Sequence, residues 1–430
     1  MTAAGWLAVA IFAASYVLIM TEWVHRLAAA LGGAAVMLAL GVTNGEKAFF
    51  SPETGIAWDV IFLLLGMMLI VAVVKRTGVF EYLAIWAAKK AKGRPFRVMV
   101  ILVLVTAVAS AALDNVTTIL LIAPVTFLVC DRLAVPVAPF LIAEVMASNI
   151  GGTATLIGDP PNIIIASRAG LSFNDFLVHL APFVIVLLGV FVAVCWWLFG
   201  RKLRYDPDRA AQVMKLKERG TIRDRRLLIV SGVVLTAVLA AFSLHSVLHL
   251  EPAVVAIVGG LLLLGASRLD AGDVVRDVEW PTLAFFAGLF VMVGGLVSTG
   301  VIGQVSEAAA GAVEGRPLPA TMVLLWGSAG LSAIVDNIPY VATMAPIVAT
   351  LAATPGTGGQ VLWWALALGA DLGGNATAIG ASANVVALGL AEKAGRRIGF
   401  WEFTRSGLIV TVITLLLATP YLWLRYFVLA

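Results

Sequence analysis

Charged residues and cysteines are scarce in this sequence, and both shortages exclude classes of protein. Charged residues make up 13% of the 430 residues and hydrophobic residues 61%, against about 25% and roughly 45–50% in soluble proteins. Cys130 and Cys195 stand in separate apolar segments, so neither a disulfide framework nor a zinc spacing is present. The mean hydropathy of +1.01 and the many long apolar segments predict an all-α polytopic membrane protein.

Other missing features restrict the possible functions. Histidine occurs only four times, and the i,i+4 pair His245 and His249 could present two metal ligands, although an interfacial loop is the favoured reading. No phosphate-binding loop of the Walker type is present, which argues against ATP hydrolysis by this chain. The net charge of +4 follows the predicted topology and does not indicate a nucleic-acid partner. We therefore predict no enzyme activity, no bound metal and no cofactor.

A polar group interrupts an apolar segment in each half of the chain. Residues 109–124 read ASAALDNVTTILLIAP, and residues 331–346 read LSAIVDNIPYVATMAP. The segments NIGGTATLIG at 149–158 and DLGGNATAIG at 371–380 are separated by the same 222 residues. No gap is needed over about 105 residues, which indicates an internal duplication. Among the positions that recur unchanged, Ser110, Asp114, Asn115 and Pro124 correspond to Ser332, Asp336, Asn337 and Pro346.

The apolar segments predict two repeats that enter the membrane in opposite directions. Residues 1–200 form the first repeat, 201–226 a basic linker and 227–430 the second repeat. Each repeat has five spans, and an odd number reverses the second repeat. The stretches 97–131 and 318–351 are predicted to be re-entrant hairpins. The spans lie near 4–20, 27–43, 57–74, 137–167 and 178–199, then near 227–243, 252–266, 280–297, 361–390 and 406–429.

The distribution of basic residues agrees with this topology. If both termini lie outside, 25 of the 29 Lys and Arg residues fall on the cytoplasmic side, as the positive-inside rule requires. The first apolar stretch, 4–20, is better explained as a span than as a signal peptide. The linker 201–226 is either a solvated topogenic loop, the favoured reading, or a contact for anionic lipid headgroups. Residues 80–91 are predicted to lie as an amphipathic helix at the cytoplasmic face.

Each hairpin tip gathers a hydroxyl, a carboxylate and an amide. Ser110 precedes Asp114 by four residues and so shares its face of the incoming arm, and Ser332 stands in the same relation to Asp336. Backbone groups that are unpaired at such a tip are tolerated only against protein or a water-filled cavity. The tips are therefore predicted to line a binding site inside the membrane.

The second repeated motif predicts two broken helices. SNIGGTATLIGDPPN at 148–162 and ADLGGNATAIGASAN at 370–384 hold paired glycines and small polar residues, which disfavour a continuous helix. The freed carbonyls and helix ends can bind an ion near the midplane. Together with the tips they predict one central substrate or ion site: Ser110, Asp114, Asn115, Thr117, Asn149, Gly152, Thr153, Asp159, Asn162, Ser332, Asp336, Asn337, Asp371, Gly374, Asn375, Thr377 and Asn384.

The negative charge of carboxylates in this region must be neutralised. A charged group inside the membrane is costly, so Asp114, Asp159, Asp336 and Asp371 are predicted to be either protonated or neutralised by a bound cation. Asp114 and Asp336 are symmetry-related, and we predict that they couple protons to transport. Glu144 has no counterpart in the second repeat, where Leu366 stands. It is either a further proton-coupling group or part of an interhelix hydrogen bond.

The motifs resemble those of the ion transporter superfamily. LDNVTTILLIAPVTFL followed by LIAEVMASNIGGTATLIGDPPNIII is similar to the branch that holds the arsenite permeases, the NhaD-type sodium/proton antiporters and the P protein. The resemblance covers essentially the whole chain. It implies paired re-entrant hairpins, a scaffold domain that often dimerises, elevator-type transport and, as in some arsenite pumps, an associated ATPase subunit. The implied location is the cell (inner) membrane.

One departure from the superfamily bears on the substrate. Dicarboxylate/sodium symporters carry Ser-Asn-Thr at the tips, whereas this chain has Asp114–Asn115–Val116 and Asp336–Asn337–Ile338. The added negative charge disfavours a dicarboxylate and favours a cation, a proton or a neutral solute that is moved against protons. Arsenite at neutral pH is mainly uncharged As(OH)3, which suits hydroxyl and amide ligands. No cysteine lies in the predicted site, so capture of arsenic by thiolate is not supported.

The resulting hypothesis is proton-coupled efflux of arsenite, antimonite or a related small inorganic solute. The alternatives are a sodium/proton antiporter and an anion channel or P-protein-like anion transporter. A channel would lack the saturation and counter-ion dependence expected of alternating access. An intramembrane aspartyl protease would carry its two Asp residues on full spans rather than on duplicated tips.

The predicted topology can be tested by labelling the linker. Single cysteines introduced into residues 201–226 should react with a membrane-impermeant thiol reagent only from the cytoplasmic side. Labelling from the outside would contradict the predicted orientation of both repeats.

Overall fold

The structure is a computed structural model that describes residues 2–21, 23–215, 218–313 and 315–429. Within these ranges every regular element is a helix. The first half contains α1 (Ala3–Thr21), α2 (Arg26–Ala39), α3 (Gly45–Phe50), α4 (Trp58–Lys75), α5 (Val79–Lys90), α6 (Pro95–Ala112), α7 (Asn115–Leu133), α8 (Val137–Gly152), α9 (Pro160–Ala169), α10 (Phe173–His179), α11 (Ala181–Leu198) and α12 (Pro207–Met214). The second half contains α13 (Arg225–Ser243), α14 (His245–Leu248), α15 (Pro252–Ser267), α16 (Ala271–Arg276), α17 (Trp280–Ser298), α18 (Val301–Val313), α19 (Pro317–Ser332), α20 (Asn337–Ala353), α21 (Val361–Gly373), α22 (Ser382–Lys393) and α23 (Phe400–Trp423).

Many of these helices are long and apolar enough to cross a membrane. Eight of the described helices have at least 18 residues and the necessary hydropathy, and further apolar helices are shorter. The predicted all-α, multi-pass membrane fold is confirmed. The arms of the first predicted hairpin, α6 and α7, are themselves among the eight. Re-entry of the hairpins and the orientation of the termini therefore stay predictions.

The helix boundaries repeat with the spacing of the sequence motifs. Six helices of the first half begin 222 residues before a helix of the second half. Two central spans are interrupted as the Gly-Gly motifs predict, because α8 ends at Gly152 and α9 begins at Pro160, while α21 ends at Gly373 and α22 begins at Ser382. The six pairs begin at Ala3 and Arg225, Trp58 and Trp280, Val79 and Val301, Pro95 and Pro317, Asn115 and Asn337, and Pro160 and Ser382.

Glycines allow close packing between α2 and α17 and between α4 and α15. A Cβ atom on Gly288 of α17 would lie 2.9 Å from the carbonyl carbon of Ala30 in α2. A Cβ atom on Gly260 of α15 would lie 2.9 Å from the carbonyl oxygen of Gly66 in α4. At such separations two helix backbones touch directly, as small residues permit in membrane proteins. We name these four helices the scaffold helices.

Close packing at a glycine also joins the first arm of each hairpin to the first helix of its broken pair. A Cβ atom on Gly151 would meet the backbone of Ala107 in α6 at 2.6 Å, and one on Gly373 would meet the Cα atom of Ala329 in α19 at 2.5 Å. The hairpin α6–α7 thus packs on α8, and the hairpin α19–α20 packs on α21, while the second helix of each broken pair packs on the opposite hairpin: α9 on α20 and α22 on α7. We name these eight helices the hairpin helices.

The basic linker is partly docked on the first half rather than fully solvated. In α12 the side chains of Ala210 and Val213 are buried, and α12 packs on α5 and α7. The backbone N–H of Arg223 donates to the carbonyl of Thr77 at 3.0 Å, and its guanidinium lies 3.5 Å from Glu81 of α5. The helix α5 itself coincides with the predicted amphipathic segment 80–91 to within one residue. Residues 216 and 217 lie outside the described residues.

The glycine contact between α2 and α17 predicts a stability effect. The substitution Gly288→Ala should lower the thermal unfolding temperature in detergent, because overpacking typically costs about 1–3 kcal/mol. The matched control is Gly303→Ala on α18, where a Cβ atom meets nothing within 4 Å. That change should be neutral or slightly stabilising, because Ala favours a helix interior by about 0.5–1 kcal/mol over Gly. Equal unfolding temperatures for the two variants would contradict the close approach.

Candidate functional site

The two hairpin tips meet at one buried carboxylate. The side-chain amide of Asn115, the first residue of α7, donates to Asp159 Oδ2 at 2.9 Å and to Asn149 Oδ1 at 3.2 Å. The amide of Asn337, the first residue of α20, lies 3.4 Å from both oxygens of Asp159. Asp159 is fully buried in front of α9. The carboxylate of one broken helix therefore bonds amides from both hairpins.

Asparagine side chains also connect the two broken helices. The amide of Asn149 donates to Asn375 Oδ1 at 3.0 Å and to Asn384 Oδ1 at 3.1 Å. The amide of Asn384 in turn donates to the carbonyls of Gly374 and Thr377, both at 2.8 Å. These carbonyls belong to the unwound segment after α21, where no intrahelical partner can reach them. The three Asn side chains and the Thr377 carbonyl all belong to the two repeated motifs.

Asn162 bonds carbonyls of the unwound segment in the first broken helix, as Asn384 does in the second. Its amide donates to the carbonyls of Gly152 and Thr155 at 3.4 and 3.1 Å. Both of its N–H groups are then occupied, and its oxygen Oδ1 is left as an acceptor. Asn115 is in the same position, because both of its N–H groups are used by Asp159 and Asn149.

Several buried acceptor oxygens in this region have no partner among the residues that the structure describes. They are Asn115 Oδ1, Asn162 Oδ1 and both carboxylate oxygens of Asp371. Thr153 and Asn162 face the Asp371 carboxylate without meeting hydrogen-bond geometry, and the Thr153 hydroxyl instead donates to the Asn149 carbonyl at 2.9 Å. A buried acceptor without a partner costs about 1–3 kcal/mol. Four such oxygens together fit a species that brings positive charge or O–H donors.

The predicted hydroxyl ligands hold the framework instead. Ser110 donates to the carbonyl of Ser148 at 2.7 Å, and Ser332 donates to the carbonyl of Ala370 at 2.7 Å. Thr377 donates to the Ala333 carbonyl at 2.5 Å. These bonds fasten each tip to its broken helix in the same way in both repeats. Gly152 permits the break to close on itself, since a Cβ atom there would lie 2.6 Å from the Gly158 carbonyl oxygen, and Gly374 has the same place in the second repeat.

The symmetry-related Asp114 and Asp336 are helix caps. Asp114 Oδ1 accepts the backbone N–H of Thr117 at 2.8 Å, and Asp336 Oδ1 accepts the backbone N–H of Ile338 at 3.1 Å. Aspartate is a preferred residue at this position because its oxygen satisfies an otherwise unpaired helix donor. Thr117 contributes this backbone group. The proton-coupling role of Asp114 and Asp336 stays a prediction.

Glu144 forms the interhelix hydrogen bond that was one of its two predicted roles. Both of its carboxyl oxygens lie within 2.9 Å of the hydroxyl of Thr126 on α7, and the side chain is buried. Glu144 stands one helical turn before Ser148, whose hydroxyl contacts the Asn115 carbonyl at 3.1 Å. A proton-coupling role for Glu144 remains a proposal.

Three polar residues near the site were not predicted. Ser148 lies within the quoted motif 148–162, but its link to the first tip depends on packing between helices. Ser382 replaces Pro160 of the first repeat, and its hydroxyl donates to Asp336 Oδ2. Arg26 joins this pair from α2. A basic residue immediately before the predicted span 27–43 is a signal that could have indicated Arg26, because a positive charge at a helix start needs compensation.

The helical membrane fold and its buried polar centre agree with a secondary transporter. The chain belongs to the CitMHS citrate transporter family, whose family model matches residues 16–369. The resemblance to the ion transporter superfamily is thereby confirmed.

Several relatives support the same assignment. The chain is 57% identical over 426 residues to an uncharacterized transporter of Mycobacterium tuberculosis, covering 98% of this chain and 99% of the relative. It is 55% identical over 426 residues to the 46 kDa membrane protein of Mycobacterium leprae, covering 99% of each chain. It is 35% identical over 502 residues to the human P protein, covering 98% of this chain and 60% of that protein. The solved YdaH transporter of Alcanivorax borkumensis shares the fold, with a TM-score of 0.60, 15% identity and coverage of 95% of this chain and 98% of that chain.

The geometry of the tips predicts the effect of removing their amides. Asn115→Ala and Asn337→Ala should each abolish transport while membrane insertion persists, because each removes a donor from the buried Asp159 carboxylate. The control is Asn174→Ala on α10, whose amide donates to the Ser243 carbonyl at 2.6 Å, away from the site. Flux in proteoliposomes and the amount of protein in the membrane are the measurements. Full activity in both tip variants would place the site elsewhere.

Proposed function

We propose that this transporter carries out proton-coupled efflux of arsenite, antimonite or a related small inorganic solute. The observation that carries the proposal is the set of unpartnered acceptor oxygens on Asn115, Asn162 and Asp371. Uncharged As(OH)3 offers three O–H donors, and oxygens of this kind accept them. The hydrogen-bonding side chains around these oxygens are amides, carboxylates and hydroxyls.

The carboxylates argue against a free multivalent anion as the substrate. Asp159 and Asp371 are close enough to interact electrostatically, and both are fully buried. A citrate ion in the same centre would be repelled by them, because like charges interact strongly where the dielectric constant is low. A citrate-type substrate would therefore have to arrive with a cation or with its own carboxyl groups protonated. P-protein-like anion transport and an anion channel meet the same objection.

A sodium/proton antiporter is the second candidate, and one observation favours it. Hard cations prefer oxygen ligands, and the unpartnered groups of the site include two carboxylate and two amide oxygens. Sodium and a proton would compete for the Asp371 carboxylate, which is the physical basis of antiport. Arsenite and sodium are distinguished by flux, since only one of them should be carried against a proton gradient.

We assign the coupling proton first to the central carboxylates. Asp371 is buried without a protein partner for its oxygens among the described residues, so the ionised form would be uncompensated there. Asp159 is the next candidate, because its bonds to Asn115 and Asn337 would change with its charge. Glu144, Asp114 and Asp336 remain in the proposal as further proton-coupling groups.

An elevator movement of the hairpin helices against the scaffold helices is part of the proposal. Close packing at glycines within each group supports rigid-body motion, since such contacts do not slide easily. Both tips bond residues at the breaks of α8–α9 and α21–α22 rather than residues at the ends of these spans, which supports re-entry. The homodimer, the ATPase subunit and the opposite orientation of the repeats stay predictions from the resemblance and the sequence.

The role of the central carboxylates can be tested by flux against pH. In proteoliposomes that are loaded with arsenite or sodium, Asp371→Asn should strip the pH dependence from transport, because the amide mimics the protonated acid and cannot titrate. Asp159→Asn should stop turnover, because the Asn115 and Asn337 amides lose their charged acceptor. Asp59→Asn is the control, since the Asp59 carboxylate accepts the Ser167 hydroxyl at an exposed position.

Two further variants separate the central carboxylates from the caps. Asn caps a helix as well as Asp does, so Asp114→Asn should keep the wild-type pH profile if Asp114 only caps α7. If the pH dependence of flux disappears in Asp114→Asn and persists in Asp371→Asn, the coupling proton is carried by the aspartates of the tips. Absence of any arsenite or sodium flux in the wild-type protein would overturn the proposed substrates.

A further inference from the structure

Arg26 occupies a position where helix electrostatics disfavour it. It is the first residue of α2, and the start of a helix carries the positive end of the macrodipole. One donor at this helix start, the backbone N–H of Leu27, is accepted by His25 Nδ1 at 3.3 Å, and a guanidinium has no acceptor that could serve another. Arg26 therefore contributes nothing to the capping of α2, and its charge must be compensated by another part of the protein.

The compensation comes from the second hairpin and the second broken helix. Arg26 Nη1 donates to Ser382 Oγ at 2.6 Å and lies 3.7 Å from Asp336 Oδ2. The Ser382 hydroxyl also contacts Asp336 Oδ2, which closes a triangle of three side chains. The guanidinium lies 5.6 Å from the ring centre of Phe285 on α17. The side chain of Asp336 is only 17% exposed, so this ion pair is screened less than a surface pair.

The triangle joins the two groups of helices defined above. Arg26 belongs to a scaffold helix that packs on α17, whereas Asp336 and Ser382 belong to the hairpin helices. Asp336 stands at the tip itself, immediately before Asn337, whose amide contacts the Asp159 carboxylate. The ion pair therefore connects the scaffold to a residue next to the substrate site.

The first repeat lacks this connection. Pro160 stands where the second repeat has Ser382, and Leu248 stands 222 residues after Arg26. Asp114, the counterpart of Asp336, has no ion pair within 4.0 Å among the described residues. Both tips are capped by an aspartate, Asp114 through the N–H of Thr117 and Asp336 through that of Ile338, but within the described ranges only the second tip forms an ion pair with a scaffold helix.

A cavity of about 350 Å³ lies beside the triangle. Its lining includes Met20, Arg26, Asp336, Ser382 and Val385, and also Val335 of the tip. Val335 is 8% exposed, so a probe at this position reports whether the tip stays closed against its neighbours.

We propose that Arg26 is a positioning residue of the transport cycle, which holds the tip of the second hairpin against α2 through Asp336 and Ser382. The contact must break whenever the hairpin helices move relative to the scaffold helices, so this inference rests on the proposed elevator transport. Loss of the Arg26 charge leaves Asp336 as a cap of α20 but removes its tie to the scaffold. The tip then opens more often, and only the second tip is affected.

The test measures how fast a cysteine at the tip reacts with a thiol reagent. Val335→Cys is introduced into the full chain, and reaction of the buried Cys130 and Cys195 in the parent protein is subtracted as background. Adding Arg26→Gln or Asp336→Asn should accelerate labelling by about three- to tenfold, the range expected for a partly buried ion pair. The two changes together should be no faster than either alone, because they remove the same interaction.

Matched variants separate this role from general loosening. Arg26→Lys keeps the charge and should keep labelling close to the slow rate. Arg276→Gln removes an exposed arginine that pairs with Asp273 on α16, and it should leave the rate unchanged. Asp336→Asn preserves the helix cap, so its labelling rate tests the proposal even if Arg26→Gln fails to reach the membrane.

Two outcomes would overturn the proposal. One is labelling at the rate of Val335→Cys alone after Arg26→Gln or Asp336→Asn is added, and the other is a set of accelerations that multiply in the double variant. Labelling requires no substrate. A wild-type protein without arsenite or sodium flux would therefore refute the proposed function and leave the labelling result to judge Arg26 separately. Normal flux with unchanged labelling in the variants would refute the role of Arg26 alone.

Discussion

The carboxylate of Asp159 is the group around which the hairpin helices are arranged. It stands where α9 begins, and two amides from opposite halves of the chain, those of Asn115 and Asn337, reach it. A fully buried carboxylate without donors would be prohibitively costly, so the tips must stay close to it unless a proton or a cation takes their place. The break between α8 and α9 is equally necessary, because a continuous helix would leave no room for the tips to approach.

The two repeats are alike in the hydrogen bonds that hold their hairpins in place, but they differ in the positions of their buried carboxylates. Ser110 and Ser332 make the same hydrogen bond in each repeat, and so the hairpins sit alike. The carboxylates do not follow this rule. Asp159 corresponds to Ala381 and Asp371 corresponds to Asn149, so each half supplies one acid from a different position. Amide side chains lie between the two acids. Their N–H donors suit an ionised carboxylate, and their oxygen acceptors suit a protonated one.

Buried polar side chains divide into two classes by what they bond. Ser110, Ser332 and Thr377 donate to backbone carbonyls of a neighbouring element and so fix geometry. The side chains of Asn115 and Asn162 instead use both N–H groups and leave their oxygen unpaired, whereas Nδ2 of Asn375 has no partner among the described residues. A hydroxyl has one proton and satisfies itself with one carbonyl, whereas an amide carries donors and an acceptor that point in different directions. This difference explains why Asn115 and Asn162 keep a free acceptor oxygen while their N–H groups are bonded.

The sequence by itself determined the membrane class, the two repeats and most helix boundaries, because apolar length and a fixed offset are properties of the chain alone. It also predicted that the Asn and Asp residues of the two motifs share one site. Only the tertiary structure decided which of them face one another. Asp114 and Asp336, which we predict to couple protons, each cap the start of their own helix, while Asp159 is the carboxylate that the amides of both tips contact. Helical periodicity relates residues within one element, but the partners of Asp159 and Arg26 lie on other elements, between 44 and 356 residues away. Packing of separate helices sets those contacts, and no local pattern records them.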